Sequence, residues 1–199
     1  MPPLHREALA DDPIEQFRQW YEAAVGEVPL ADAMTLATVD AQGAPDARMV
    51  LLKGFGPDGF RFFTNLGSAK SQQLGAAPRA ALVVYWRELD RQVRIRGRVN
   101  ELPESASDDY FASRARDSQI GAWASPQSEP LPDRAALDER ARDTEERFAG
   151  ADIPRPPFWG GFLVTPDEIE FWQGQAARLH DRFRYRRTNE GWDLERLAP

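Results

Sequence analysis

Trp172, Arg178, His180 and Arg182 crowd into one short stretch, as Phe171-Trp172-Gln173-Gly174 followed by Arg178-Leu179-His180-Asp181-Arg182, and the sequence closes on Arg196-Leu197-Ala198-Pro199. Arginine offers a planar fork of donors that matches phosphate or carboxylate oxygens. Tryptophan adds a flat apolar face and one donor. A basic cluster around one histidine beside a Trp therefore suits a phosphorylated aromatic ligand.

Four other constellations could join it. In Arg48-Met49-Val50-Leu51-Leu52-Lys53, period-two alternation puts Arg48 with Val50 and Leu52, and Lys53 with Met49 and Leu51. Both cations reach one pocket only through a bulge or a strand end; otherwise they are two solvated strand ends. In Phe63-Thr64-Asn65-Leu66-Gly67-Ser68-Ala69-Lys70, a strand runs through a polar turn into a helix start. Its N–H groups and Lys70 could cradle a phosphate, or Ser68 could simply cap the helix beside a surface lysine. In residues 91–99 Gln92, Arg94, Arg96 and Arg98 share one strand face, a solvated face whose first member, Gln92, could meet a heterocycle edge. Tyr110, Arg114 and Ser118, spaced i, i+4, i+8, would line one helix face and could grip a phosphate, or form a plain polar stripe. The loop residues Gln127 and Ser128 add polar groups nearby.

The elements that must position these groups follow from periodicity. Asp12 as N-cap, Pro13 at the first helical position and Glu15 predict a helix to about Gly26 with Ile14, Phe17, Tyr21 and Val25 buried. Strands are predicted at 34–39, 47–55, 59–64, 80–86, 91–102, 160–166, 168–173, 182–188 and 191–197, the first two as a hairpin. Helices are predicted at 68–75, 103–116 and 133–148, the last with Leu137, Ala141, Thr144 and Phe148 on one face. Many short strands separated by turn signals indicate a mainly β antiparallel barrel or sandwich.

Composition narrows the chemistry. A chain of 199 residues fits a single domain over 1–199, with 1–11 as a short N-terminal arm. Cysteine is absent and His5 and His180 are the only histidines, so disulfides, thiolate nucleophiles and a transition-metal site are not expected. A net charge of −7 argues against a nucleic-acid binder and points to small anionic ligands. No run approaches the ~20 apolar residues of a membrane span, and Met1-Pro2-Pro3-Leu4-His5 lacks the apolar core of a secretory signal, so no membrane association and a cytoplasmic location are expected.

Taken in order, these segments, with Ser118-Gln119-Ile120-Gly121-Ala122-Trp123, Phe158-Trp159-Gly160-Gly161 and Glu170-Phe171-Trp172-Gln173-Gly174, resemble the pyridoxamine 5'-phosphate oxidase family. The resemblance implies an FMN-binding split β-barrel with peripheral helices, dimerised with itself and holding FMN at the subunit interface. It implies FMN contacts at Arg48, Met49, Val50, Leu51, Leu52, Lys53, Phe63, Thr64, Lys70, Gln92, Gln127, Ser128, Trp172 and Arg182. It implies substrate contacts at Lys53, Tyr110, Arg114, Ser118, Arg178, Leu179 and His180, with Arg178 and His180 acting in catalysis over the pyridine ring. The implied reaction moves a hydride equivalent from C4' of pyridoxamine or pyridoxine 5'-phosphate to flavin, with O2 reduced to hydrogen peroxide, pyridoxal 5'-phosphate formed and ammonia released from the amine. Related alternatives are an FMN oxidase acting on another ring, or a non-catalytic flavin or pyridoxal-phosphate binding protein. The chain departs from the family at Ala69, where a second basic residue is common, and Asp32 does not align cleanly with an acidic residue of supporting role.

Overall fold

In the computed structural model, which describes residues 2–199, Asp12 accepts a hydrogen bond from the Ile14 N–H (2.8 Å) and Pro13 opens helix α1 (Pro13–Val25). Its buried stripe differs at the far end from the expected one. Ile14 and Phe17 are buried and Tyr21 packs against the core, but Val25 is 58% exposed while Trp20 and Ala24 are buried. Trp20 turns inward because it meets Phe171 edge-on, with ring centroids 5.2 Å apart. Met1, in the arm expected over 1–11, lies outside the described residues; within the arm Arg6–Ala8 form a 3-10 turn.

Nine strands follow: β1 (Ala33–Val39), β2 (Pro45–Leu51), β3 (Gly54–Gly56), β4 (Gly59–Asn65), β5 (Arg79–Trp86), β6 (Arg91–Glu101), β7 (Trp159–Gln173), β8 (Asp181–Arg187) and β9 (Trp192–Leu197). All pairings are antiparallel, in the order β2-β1-β5-β6-β7-β4-β3, with β8 joining β7 and β9 joining β8. The expected hairpin β1–β2 is present, but 47–55 is two strands. Pairing changes hands there: Leu52 N–H donates to Asp32 O and Lys53 N–H to Arg61 O, both at 2.8 Å. The backbone thus leaves β1 for β4, the sheet curls on itself, and a split β-barrel results.

One face of the curled sheet carries Met34, Leu36, Leu82, Val84, Val93, Ile95, Ile169 and Phe171, all fully or nearly fully buried with Phe17 and Trp86. On the opposite face Met49, Leu51 and Tyr85 are 62%, 42% and 53% exposed, an apolar patch on an open sheet.

Helices α2 (Ala69–Ala76), α3 (Glu104–Ala112), α4 (Arg116–Ala124) and α5 (Arg134–Arg147) are peripheral. The segment 103–116 is not one helix: α3 ends at Ala112, and α4 takes up residues 116–124, a stretch that carries loop-like polar groups in sequence. The stripe of α5 is only half-buried, because this helix rides on the surface of α4.

The strands expected at 160–166 and 168–173 are the single strand β7. The break between them is a bulge instead, since the β6–β7 register slips so that Arg96 faces Glu168 and Gly97 faces Pro166. Gly97 makes this possible, because a Cβ there would sit 2.0 Å from the Thr165 carbonyl oxygen. Gly97→Ala is therefore expected to destabilise the fold by about 2 kcal/mol or more, measured by urea unfolding; a change within error would show that the bulge tolerates a methyl group.

Candidate active site

A cavity of about 350 Å³ opens where the curl brings β2 toward β4. Its wall contains Met49, Val50, Leu51 and Lys53 from β2 and its exit, Phe63 and Thr64 from β4, Lys70 from α2, Tyr110 from α3, Ser118 from α4, and Arg114 and Gln127 from the connections. The strand end resolves the problem of Arg48 and Lys53. Arg48 points to α2, donating to Leu36 O (3.2 Å) and Gln73 Oε1 (2.9 Å). Lys53, beyond the last residue of β2, reaches the cavity and pairs with Asp32 at 2.8 Å.

Lys70 is part of the cavity wall. Its ammonium donates to Gln127 Oε1 (2.6 Å), Ser68 Oγ (3.1 Å) and Thr64 Oγ1 (3.2 Å), all neutral oxygens. Burial and the nearby Arg48 charge push its pKa down to about 8, against a smaller pull upward from Asp46. A buried cation without a carboxylate contact is a site that an anion would complete. Ser68 does not cap α2 with its hydroxyl, which donates instead to Asn65 O (2.7 Å) and leaves the helix start to Ser128 Oγ, the acceptor for the Ala69 N–H (3.2 Å). Ser128 takes a left-handed φ of 75° to do so, the kind of strain that a functional loop carries.

Also in the cavity wall, Phe63, Tyr110 and Trp159 stack face to face, with centroids 4.2 Å apart for Phe63–Tyr110 and 5.5 Å for Phe63–Trp159. The Arg114 guanidinium lies 4.9 Å from the Trp159 ring centre, and its Nη1 is buried with no hydrogen-bond partner among the described residues. Burial lowers its pKa. Although α3 and α4 are separate helices, the break between them keeps Tyr110, Arg114 and Ser118 on one cavity wall.

The remaining candidates form a second group elsewhere. Gln92, Trp172 and Arg182 are directly cross-paired on β6, β7 and β8, so they form one row on the open sheet face. The His180 ring lies 4.6 Å from that of Trp172, and Arg182 is held by Glu170 (2.8 Å) and by Ala198 O (2.9 Å). Arg178 and Leu179 are exposed, and Ala177 and Arg178 both have left-handed φ (56° and 63°), each costing about 1–3 kcal/mol for a non-glycine residue. None of this group lines the cavity. Extending the β1–β5 register by two residues puts Ala33 beside Tyr85, so Leu51 at the cavity rim and Trp172 are four strands apart in one row, roughly 20 Å at ~4.8 Å per strand.

Comparison with known proteins bears on both groups. The pyridoxamine 5'-phosphate oxidase family model matches residues 21–148, and that of the pyridoxine 5'-phosphate oxidase C-terminal dimerisation region matches residues 159–199. A pyridoxine/pyridoxamine 5'-phosphate oxidase of Acaryochloris marina is 54% identical over 94% of this chain and 86% of its own. One from Caulobacter vibrioides is 52% identical over 100% of this chain and 88% of its own. The chain belongs to the pyridoxamine 5'-phosphate oxidase family. Among solved structures, PhzG from Burkholderia lata, in complex with tetrahydrophenazine-1-carboxylic acid, superposes with a TM-score of 0.93 at 31% identity, covering 100% of this chain and 99% of its own. A Nostoc punctiforme FMN-binding protein (TM-score 0.75, 20% identity, 96% and 99% coverage) shares the fold.

Within this family member, the structure adds three residues to the site that spacing did not single out: Asp32 on Lys53, Trp159 beneath Arg114, and Glu170 on Arg182. Asp32 was detectable only as an acid just before β1. Trp159 stood in a recognisable motif without a role. Glu170 becomes visible only once β7 and β8 are in register, facing Arg184 across the ladder and Arg182 diagonally.

Arg114 has a cost in the ligand-free protein. Arg114→Met, which keeps most of the apolar packing and removes the unpartnered charge, is expected to change the unfolding free energy by less than about 1 kcal/mol or to raise it. Urea denaturation of ligand-free protein measures this, and a loss well above that figure would mean the guanidinium is satisfied without an anion.

Proposed function

We propose that this chain oxidises pyridoxamine 5'-phosphate and pyridoxine 5'-phosphate to pyridoxal 5'-phosphate, with FMN as cofactor and O2 as final acceptor, acting as a cytoplasmic homodimer of one split-barrel domain over 1–199. The observation that carries the proposal is the pair of cations that line one cavity with no carboxylate on them, the buried Lys70 and the half-buried Arg114 with its buried, unpartnered Nη1. Two phosphorylated ligands meeting between them would satisfy both. The donors fit FMN: Lys70, Thr64, Gln127 and Ser128 would hold its phosphate end, with the backbone of residues 49–53 along its length. Bound FMN supplies a two-electron acceptor for oxidation at C4' and returns those electrons to O2 as hydrogen peroxide.

The protein's own part is binding and orientation. Lys53, Tyr110, Arg114 and Ser118 would share the substrate phosphate, four donors around a tetrahedral anion. Arg178 and His180 would lie over the pyridine ring, but in one chain neither lines the cavity. A two-fold partner supplies what is missing, placing its Gln92, Trp172, Arg178, His180 and Arg182 over this chain's cavity while its own cavity receives theirs. The exposed Met49, Leu51 and Tyr85 face would be buried in that contact. Water then hydrolyses the imine formed from the amine substrate, which releases ammonia.

A second reading, an FMN oxidase for another ring such as the tetrahydrophenazine carboxylate held by the Burkholderia protein, is favoured by the close superposition with that structure. The trio Tyr110, Arg114 and Ser118 in the cavity wall favours a phosphate over a planar carboxylate. Anaerobic addition of pyridoxamine 5'-phosphate to FMN-loaded protein is expected to bleach the flavin band, and Arg114→Ala should raise the substrate KM by about tenfold or more with a smaller change in kcat. No bleaching with either B6 substrate would reject the assignment.

Lys70 makes FMN binding depend on pH. Its pKa of about 8 in the ligand-free protein lies below the ordinary lysine value, and a phosphate dianion would raise it. Below about 8 the charged ammonium is ready; above it, binding must first recover a proton. FMN affinity is thus expected to fall by up to about tenfold per pH unit above that value, read by flavin fluorescence quenching, and Lys70→Met should abolish the slope. An equally steep slope in Lys70→Met would assign it to another group.

A further inference from the structure

Asp181, adjacent to His180 in sequence, is buried to 5% exposure and is not used by any step above. Its Oδ2 accepts from the Leu4 N–H and from Gln175 Nε2, both at 2.9 Å, and its Oδ1 accepts from Arg196 Nη1 at 2.8 Å. Arg196 Nη2 in turn donates to Leu4 O (2.7 Å), and the Gln173 and Gln175 side-chain amides donate to Pro2 O at 2.8 and 3.2 Å. The start of the N-terminal arm is therefore strapped to the carboxylate that follows the histidine. Burial works against the Asp181 charge, but the hydrogen bonds from Leu4, Arg196 and Gln175 outweigh it and hold its carboxyl below the usual range.

Gln175 carries the strap to the ring. Its backbone N–H donates to His180 Nδ1 at 3.2 Å. A backbone N–H can only donate, so Nδ1 is the acceptor, and in the neutral imidazole the ring proton sits on Nε2. The loop has little else to hold it, with Ala177 and Arg178 both left-handed and Leu179 70% exposed.

We infer that Asp181 is a positioning residue and residues 2–4 a strap, which act through Gln175 to hold His180 on Trp172 as the Nε2–H tautomer, ready to donate toward the substrate. The inference rests on the reading of His180 as a substrate-facing group. It makes the arm part of the reaction machinery, although no arm residue lines the cavity.

Three variants test it: Asp181→Asn, Gln175→Ala and a deletion of residues 2–5, each compared with His180→Ala. The readouts are the limiting rate of flavin bleaching by pyridoxamine 5'-phosphate under anaerobic conditions, the FMN dissociation constant, and the ring-nitrogen chemical shifts of His180 in ligand-free protein. The last is simple to assign because His5 is the only other histidine and is removed by the deletion. The bleaching rate is expected to fall roughly tenfold in each variant, with FMN affinity kept within about twofold. The nitrogen shifts should change from one Nε2–H tautomer to a mixture. Combining Asp181→Asn with the deletion should be no worse than the slower single change, because both cut one linkage. If Asp181→Asn does not fold, the part-exposed Gln175→Ala decides the question. Unchanged bleaching and an unchanged tautomer in the variants, with His180→Ala slow, would overturn the strap. An unaffected His180→Ala would instead overturn the role given to His180 itself.

Discussion

Lys70 is buried and Arg114 half-buried with no anion among the described residues to meet either, and the rest of this structure is arranged around that fact. Lys70 is ringed by neutral oxygens and Arg114 by aromatic faces, so neither environment compensates its charge. A fold selected for stability alone would pair such groups or replace them with apolar side chains. Retaining them costs stability, and an anionic ligand bound only to the folded state recovers it by mass action. The curl of the sheet brings the two to one cavity.

The same economy governs the open face. A strand row runs from the cavity rim at Leu51 to Arg182, apolar at Tyr85 and polar from Gln92 onward. Within one chain the Gln92-to-Arg182 part of that row does not line the cavity. In the proposed dimer a two-fold partner would bring it there and bury the apolar part in doing so. Besides Leu30 and Asp90, left-handed non-glycine backbone is found in two loops that carry site candidates, at Ser128 between α4 and α5 and at Ala177–Arg178 between β7 and β8. Neither site is a glycine, which fits side chains needed for contact more than turns needed for connection.

How much of this was legible in sequence depends on the range of the interaction. The caps of α1, the alternation of β6 and the hairpin of β1 with β2 are local, and the residues state them directly. The split of 47–55 into two strands was not legible, because it arises when Lys53 exchanges β1 for Arg61 of β4. The merging of 160–166 and 168–173 was hidden for the same reason: Pro166 looks like a strand end until Gly97 across the ladder lets the strand bulge and continue. Tyr110, Arg114 and Ser118 reached one wall, but by a helix break in place of the helix face that their spacing suggested. Asp32, Glu170 and Asp181 escaped because a carboxylate that orients a cation or a loop carries no spacing signature of its own.

Ala69 shows how the site manages with fewer charges. Where the family resemblance leads to the expectation of a second basic residue, this chain has a methyl group, and the Ala69 N–H is occupied by Ser128. Arg48 cannot take over directly, since its guanidinium is spent on Leu36, Thr38, Gln73 and Asp46. Its charge nevertheless acts at a distance, as one of the causes of the lowered Lys70 pKa. The proposed phosphate grip therefore relies on one lysine whose proton is unusually easy to lose. Because the field of an arriving dianion opposes that loss, the lysine is most firmly charged when the ligand is present. In the proposed site, cofactor binding and lysine protonation would in this way be a single coupled event, with burial first and Arg48 second setting how much of the proton must come from solvent.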